Sequence, residues 1–131
     1  MKWFTLKELT ASATAVRRGI DNTPPSRWII DNLVRLVDNI LDPLREVYGG
    51  PVHISSGYRS GILNAAVGGS PRSQHLQGQA ADLYADTLAG TRRLFLLIQS
   101  LGLPFDQLIW EGSWIHVSYG PRHRRQVIDR K

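Results

Sequence analysis

The strongest indication of fold class in this chain is the segment Phe105-Asp-Gln-Leu-Ile-Trp-Glu-Gly-Ser-Trp-Ile-His-Val-Ser-Tyr119. It contains two strand-like runs, 105–111 and 114–119, which are separated by the dipeptide Gly112-Ser113. A Gly-X pair between two such runs is typical of a two-residue β-hairpin turn. We therefore predict two antiparallel strands joined by a tight turn.

The hairpin determines which side chains share a face of the sheet. In a two-residue hairpin Glu111 lies opposite Trp114, and Ile109 lies opposite His116. Because side chains alternate along a strand, these four side chains point to one face and Asp106 points to the other. Glu111 is therefore predicted to be a near neighbour of His116, and Asp106 is not expected to take part in the chemistry.

The rest of the chain predicts helices and further strands around this hairpin. Residues 5–8 have the form of a capping box, so a short helix starts there. The clearest helix follows Ser26 and has one apolar face, which consists of Ile29, Leu33, Leu36, Val37, Ile40, Leu44 and Val47. Pro43 should kink this helix or restart it after Asp42.

Two further strands are predicted at 52–56 and 80–84, with a short helix at 60–66. A second amphipathic helix is predicted over 87–101, and its expected buried positions are Leu88, Leu94, Leu97 and Ile98. Together these elements make one α+β domain over residues 1–131, with helices packed on a small, mainly antiparallel sheet.

The composition is that of a globular protein. The chain has 131 residues, of which 42% are hydrophobic, and lacks the run of about 20 apolar residues that spans a membrane. The N-terminus has no uninterrupted apolar run of the secretory type, so we expect the chain to be made in the cytoplasm. The net charge of +5 favours a polyanionic partner but does not choose among nucleic acids, anionic membranes and acidic cell-wall polymers.

A second motif, His75-Leu-Gln-Gly-Gln-Ala-Ala-Asp82, supplies an imidazole and a carboxylate, and His116 supplies another imidazole. All three lie in segments that are predicted to be strand or strand edge. Gly78 permits the chain to double back, so that His75 can approach Asp82. The chain has no cysteine, so a zinc site would use histidine and carboxylate ligands alone. Three such ligands leave one position for water, as in catalytic zinc sites.

Three motifs occur in the order of a known family. Ser56-Gly-Tyr-Arg-Ser60, Ser73-Gln-His-Leu-Gln-Gly-Gln-Ala-Ala-Asp82 and Trp114-Ile-His-Val-Ser118 closely resemble the peptidase M15 family, especially its M15A-like members. The similarity extends to Phe4-Thr-Leu-Lys-Glu-Leu, Gly19-Ile-Asp-Asn22 and Leu41-Asp-Pro-Leu-Arg45. The resemblance implies a Hedgehog/DD-peptidase-like fold and a zinc peptidase that cuts peptidoglycan stem peptides.

The resemblance also implies roles for individual residues. His75, Asp82 and His116 would be the zinc ligands, and Arg59 would hold a carboxylate or carbonyl oxygen of the substrate. A guanidinium suits that role because it can clamp a carboxylate through two hydrogen bonds, although a structural salt bridge is the alternative. Ser73 and Gln74 are expected to orient the imidazole of the first ligand. The further residues assigned to the surroundings of the ligands or to substrate are Tyr58 and Trp114.

One departure from the family pattern concerns the catalytic acid. Several branches carry it three residues before the last histidine, where this chain has Ser113, which cannot act as a carboxylate base. Glu111 is the residue that we expect to act as general base instead, because its predicted face places it close to the metal. M15A-like sequences resemble this one in carrying Glu at the end of the preceding strand. If Glu111 points away, zinc would be bound without efficient turnover.

The expected reaction is hydrolysis of a stem-peptide amide bond, at the D-Ala-D-Ala terminus or internally. We expect a monomer that does not insert into membranes and that reaches the wall after release, as a phage-type lysis protein or virion component. One alternative is a zinc-binding module that has lost catalysis and binds wall peptides or a partner protein. The other is a nucleic-acid binder built on the arginine-rich segment from Arg122 to Lys131. We do not expect a nucleic-acid partner, since the aromatic and basic interleaving of single-strand binders is missing.

Overall fold

The computed structural model describes residues 1–130, so that Lys131 of the arginine-rich segment lies outside the described residues. The helices within residues 1–130 are α1 (Leu6–Thr10), α2 (Ala13–Arg18), α3 (Arg27–Leu36), a π-helical turn (Val37–Leu41), α4 (Asp42–Tyr48), α5 (Gly61–Ala66), a 3-10 helix (Gln74–Gln77) and α6 (Leu88–Ser100). None of these helices has the length and apolar character that a membrane span requires.

Within residues 1–130, five strands form one sheet. They are β1 (His53–Ser56), β2 (Ala80–Tyr84), β3 (Gln107–Trp110), β4 (Ile115–Ser118) and β5 (Gln126–Asp129). Their order across the sheet is β1-β2-β4-β3-β5, and every neighbouring pair is antiparallel except β3–β5, which is parallel. The prediction of an α+β fold with a small, mainly antiparallel sheet is therefore confirmed.

The two faces of the sheet differ in character. One face belongs to the hydrophobic core, and its fully buried residues are Ala81, Leu83, Leu108, Ile115 and Val117. Asp82 in β2 and His116 in β4 alternate with these residues and therefore point to the opposite face. His116 lies opposite Asp82 on one side and opposite Ile109 on the other, so the predicted hairpin register is confirmed.

The long helix predicted after Ser26 forms, with a change of helix type in its middle. The π-helical turn ends at residue 41, and Pro43 follows in the first turn of α4. A proline has no N–H to donate, and in a regular α-helix its ring clashes with the carbonyl four residues earlier. In the π turn the hydrogen bonds span five residues instead of four, so the turn is wider and leaves room for the ring. Val47 and Leu88 were predicted to be buried, and this was wrong. They lie in the last turn of α4 and the first turn of α6, where each helix leaves the core.

The C-terminal segment adds β5 to the edge of the sheet, where the sequence had predicted no strand. β5 pairs with β3 along its whole length. Before β5, Arg124 donates hydrogen bonds from Nε and Nη2 to the carboxylate of Asp106 at 2.8 and 3.1 Å, and its backbone N–H donates another at 3.1 Å. The Asp106 side chain is completely buried. Asp106 therefore anchors the C-terminal segment.

Replacing Asp106 by asparagine should destabilise the fold by about 2 kcal/mol, because hydrogen bonds to charged groups contribute about 1.5–3 kcal/mol. The hydrogen bond from Arg124 lowers the pKa of Asp106 against the opposing effect of burial. A carboxyl group with a lowered pKa stabilises the folded state above its unfolded pKa of about 3.9, and this contribution is lost as the pH falls through the folded value. Urea unfolding should therefore show a large difference from wild type at neutral pH and a small one in strong acid.

Asp86→Asn is the matched control for this variant. Asp86 is an exposed carboxylate that lies 2.6 Å from Nε2 of His53 at the surface. An exposed pair of this kind contributes about 0–1 kcal/mol. Equal losses of stability in the two variants would show that Asp106 does not anchor the segment.

Candidate metal centre

Three elements bring the predicted metal ligands together. Asp82 lies in β2, and His116 lies directly opposite it in β4. His75 lies in the 3-10 helix before β2, so the prediction of strand or strand edge was wrong for this residue. Gly78 ends that helix with a φ of 72°, a left-handed conformation that glycine adopts without strain. The predicted reversal of the chain at Gly78 is confirmed.

The ring nitrogens of both histidines converge on one carboxylate oxygen. His75 Nε2 lies 3.3 Å from Oδ1 of Asp82, and His116 Nδ1 lies 3.1 Å from the same atom. One ligand atom from each residue lies within 4.8 Å of the other two. In a tetrahedral zinc site with bonds of about 2.0–2.1 Å, neighbouring donor atoms lie about 3.3–3.4 Å apart. The two distances to Oδ1 of Asp82 lie close to this spacing, so the three residues could hold a metal ion.

The backbone orients the imidazole of His75. Its Nδ1 lies 2.7 Å from the carbonyl oxygen of Gly57, and the side chain is buried. A carbonyl oxygen only accepts hydrogen bonds, so Nδ1 donates to it, and Nε2 is the nitrogen turned toward Asp82. Nε2 can donate to the Asp82 carboxylate or, when it carries no proton, offer its lone pair to a metal ion beside that carboxylate. Support of a ligating histidine through its other ring nitrogen is the rule in metal sites.

Gly57 is required at this position by the close approach of α1. A Cβ atom on residue 57 would lie 2.2 Å from the carbonyl oxygen of Leu9. The N–H of Tyr58 donates to the same carbonyl at 2.8 Å, and the N–H of Arg59 donates to the carbonyl of His75 at 3.1 Å. These contacts tie α1, the end of β1 and the 3-10 helix together beside the candidate ligands.

Arg59 supports the carboxylate ligand through its second oxygen. Nη2 of Arg59 lies 3.4 Å from Oδ2 of Asp82, and the Arg59 side chain is only 15% exposed. Its Nε donates to Oγ of Ser56 at 2.9 Å, and its Nη1 donates to Oδ1 of Asn64 at 3.2 Å. These contacts hold Asp82 so that Oδ1 faces the histidines. The salt bridge that was the alternative for Arg59 is thus present, and its predicted role toward substrate stays a prediction.

The electrostatics of the centre favour an ionised Asp82. Burial by itself raises the pKa of this carboxyl, but hydrogen bonds from His116 and His75 and the charges of the two rings outweigh burial and lower the pKa. Burial lowers the pKa of the Arg59 guanidinium, an effect that the charge of Asp82 opposes. Arginine nevertheless stays charged in proteins. A carboxylate anion is therefore in place at neutral pH to bind a cation.

The residues predicted around the ligands have different positions. Oγ of Ser73 accepts a hydrogen bond from the backbone N–H of His75 at 3.2 Å, which starts the 3-10 helix, while the ring itself is oriented by the backbone. Gln74 and Trp114 line the pocket at the centre, as Ser73 does. Tyr58 is only 4% exposed and packs in the hydrophobic core, and its role around the ligands or toward substrate stays a prediction.

Glu111 lines the same pocket as the three candidate ligands. Its backbone N–H donates to the carbonyl of Trp114 at 2.9 Å, which closes the predicted two-residue hairpin, and Ser113 lies in the turn. The Glu111 side chain is 21% exposed, and its Oε1 lies 3.2 Å from Nη1 of Arg130. Arg130 had no predicted role at this site, because its place beside Glu111 depends on β5.

Two asparagines without a predicted role also support the site. Asn22 donates to the carbonyl of Tyr58 at 3.0 Å and accepts from the N–H of Ser60 at 2.8 Å, so it holds the loop that carries Arg59. Asn64 is buried and accepts one of the hydrogen bonds from Arg59. Nothing in the spacing of these residues indicates such contacts, which arise only from the folded chain.

The candidate ligands open into a pocket of about 610 Å³. This volume lies within the range of about 300–1,000 Å³ that is usual for ligand sites. Among the described residues, five arginines line the pocket, namely Arg59, Arg72, Arg122, Arg124 and Arg130. The pocket therefore combines a candidate metal centre with a strongly basic wall.

The fold and the site together define a class of protein. It is a small α+β protein with a candidate His–Asp–His metal centre, and a carboxylate and a guanidinium beside that centre line an open pocket. Metal-dependent hydrolases use such an arrangement. A sequence model of the family described as Peptidase M15 matches residues 2–118, and the chain therefore belongs to the peptidase M15 family. The resemblance inferred from the motifs is confirmed. Among curated proteins, none matches the chain.

Membership of the family supports a peptidase-type function. Peptidases of this family are generally metal-dependent, and the group formed by His75, Asp82 and His116 could hold such a metal ion. The coarse function and the candidate centre thus agree.

Proposed function

We propose that the protein is a zinc peptidase that hydrolyses amide bonds of peptidoglycan stem peptides, at the D-Ala-D-Ala terminus or at an internal bond. The observation that carries this proposal is the convergence of His75 Nε2 and His116 Nδ1 on one oxygen of Asp82. Two imidazole nitrogens beside one oxygen of a buried carboxylate are donors that a metal ion can bind in place of the hydrogen bonds between them. The pocket around this group also contains a candidate base.

Zinc is the proposed ion because the donor set suits it. His75, Asp82 and His116 would be its ligands, and two imidazoles with one carboxylate are donors found in catalytic zinc sites. When bound, zinc would supply the positive charge that lowers the pKa of water toward about 7. The carbonyl of Gly57 and the guanidinium of Arg59 would keep the first two ligands in position.

Glu111 is the proposed general base. Its carboxylate would take the proton of the attacking water and deliver it to the leaving amine. Arg130 would fix the position of that carboxylate at the pocket wall. Arg59 uses three N–H groups in contacts with the protein, and its remaining donors would stabilise the charge that develops on the substrate carbonyl oxygen. The scheme needs no serine or cysteine nucleophile.

The proposed substrate class comes from the family resemblance, and the charge of the chain agrees with it. The chain carries a net charge of +5, which attracts an anionic wall polymer. We further propose that the protein acts as a monomer on the wall after release, as a phage-type lysis protein or virion component. In this proposal it neither binds nucleic acid nor inserts into a membrane.

A zinc-binding module without turnover is the second candidate. The observation that favours it is the ion pair between Glu111 and Arg130, because a carboxylate engaged by a guanidinium is less available to a water molecule. The serine at position 113 agrees with this candidate as well. Such a module would retain zinc and bind wall peptides without cleaving them.

Removing the metal should abolish hydrolysis, and zinc should restore it. Peptidoglycan digested with the zinc-loaded protein should yield new muropeptide ends by mass spectrometry, whereas chelator-treated protein should yield none. Magnesium should not substitute, because it prefers a shell of oxygen ligands. The product masses identify the bond. Products that lack only the terminal alanine indicate a carboxypeptidase, and products cut at an internal bond indicate an endopeptidase.

Two results would contradict the proposal. A zinc-loaded protein that leaves all muropeptides intact would be the binding module, not the peptidase. Hydrolysis that continues after complete removal of the metal would rule out zinc dependence.

A further inference from the structure

The pocket carries more positive charge than its own carboxylates neutralise. Three of its arginines are each held by a carboxylate, in the pairs Arg59–Asp82, Arg124–Asp106 and Arg130–Glu111. Arg72 has no acidic partner among residues 1–130. Arg122 lies 3.5 Å from Asp106, which Arg124 already holds at 2.8 Å, so the charge of Arg122 is only partly compensated.

A turn with an unusual backbone carries Arg122 to the pocket. His123 and Arg125 have φ values of 43° and 51°, which residues other than glycine rarely adopt. Nδ1 of His123 lies 3.1 Å from the carbonyl oxygen of Pro104, and the N–H of Arg125 donates to the carbonyl of Phe105 at 3.2 Å. The neighbouring chain therefore holds the turn in a conformation of the kind that concentrates at functional sites.

The same turn lies beside the segment that carries Arg72. A Cβ atom on Gly120 would lie 2.7 Å from Nε2 of Gln74, so the two segments are in contact. Arg72 and Arg122 line the pocket from these neighbouring segments. Arg122 lies beyond residues 2–118, the part of the chain that the family match covers.

We propose that Arg72 and Arg122 form a subsite for a carboxylate of the peptide substrate that lies away from the scissile bond. This inference rests on the proposed peptidase function. Guanidinium groups recognise carboxylates through paired hydrogen bonds, and these two side chains have N–H donors that no carboxylate of the pocket fully engages. The subsite makes the protein selective for acidic peptides over their neutral forms.

Two synthetic stem-type pentapeptides that differ in one group test the subsite. One has a free α-carboxylate on its glutamyl residue, and the other has a carboxamide of nearly the same shape there. The zinc-loaded protein should hydrolyse the acidic peptide with a kcat/KM roughly tenfold higher, because charge-assisted hydrogen bonds are about twice as strong as neutral ones. The difference should lie mainly in KM and should shrink as the ionic strength rises. Arg72→Gln and Arg122→Gln should each reduce the preference, and the double variant should lose it.

Arg17→Gln is the matched control, because it removes the same charge from an exposed position on α2. It should leave the preference unchanged. Calorimetric binding of both peptides to zinc-loaded Glu111→Gln protein, with and without the two arginine substitutions, keeps the test independent of turnover. A wild-type protein that cleaves neither peptide overturns the peptidase proposal, while the binding preference still reports on the subsite.

Three results would overturn the subsite. The first is equal binding and equal kcat/KM for the two peptides in the wild-type protein. The second is a preference that persists in the double arginine variant. The third is binding of a DNA oligonucleotide or inorganic polyphosphate that is tighter than binding of the acidic peptide at the same salt concentration, because the ligand would then be a phosphate polyanion.

Discussion

Replacing His116 by alanine should remove the bound metal and reduce peptide hydrolysis to background. His116 provides one of the three candidate donors, and its Nδ1 lies 3.1 Å from Oδ1 of Asp82. Partners that only support a ligand change metal affinity by about 10–100-fold, so loss of a ligand itself should exceed about 100-fold. Zinc titration by calorimetry and the zinc content of purified protein measure the first effect. The rate of stem-peptide hydrolysis measures the second.

His53→Ala is the matched control for this variant. His53 is also a strand histidine beside a carboxylate, with its Nε2 2.6 Å from Oδ1 of Asp86. The described residues contain no third metal donor beside that pair, so zinc content and turnover should match the wild type. Thermal unfolding would show that both variants fold. Full zinc content and a wild-type rate in His116→Ala would exclude His75, Asp82 and His116 as the metal centre.

The hairpin could be predicted because its signals are local. A Gly-Ser dipeptide between two strand-like runs determines the turn, and the turn determines the register, so Ile109 lies opposite His116 as predicted. β5 could not be predicted in this way. Its four residues pair in parallel with β3, and they are placed there by the contact of Arg124 with the buried Asp106. Neither the parallel pairing nor that distant contact has a local sequence signal.

The candidate ligands could be predicted from motifs, whereas their supports could not. His75 and Asp82 stand in one short motif, and the glycine between them makes their approach possible. The orientation of the His75 ring, however, comes from the carbonyl of Gly57, and any residue type has a carbonyl. Arg59 was expected to face substrate, but its contact with Asn64 depends on how α5 packs. Supports of this kind are properties of the folded backbone and of tertiary packing.

Replacing Glu111 by glutamine should lower kcat by about 10²–10⁴-fold while zinc content and stability stay close to wild type. Glutamine has nearly the same size and can still accept a hydrogen bond from Arg130, but it cannot take a proton from water. The loss should therefore appear in kcat rather than in KM. Steady-state hydrolysis of a defined stem peptide, with zinc content determined for each preparation, measures it.

Ser113→Ala is the control that separates the two possible positions of the base. Ser113 occupies the position where several branches of the family carry the acid, yet it lies in the hairpin turn, whereas Glu111 closes the hairpin on the side of the pocket. The Ser113 variant should keep the wild-type rate, because a neutral hydroxyl does not act as a base in place of a carboxylate. If Glu111→Gln also keeps that rate, the proton acceptor is another group. If the wild-type protein binds zinc but cleaves nothing, the ion pair between Glu111 and Arg130 marks a centre that binds wall peptides without turnover.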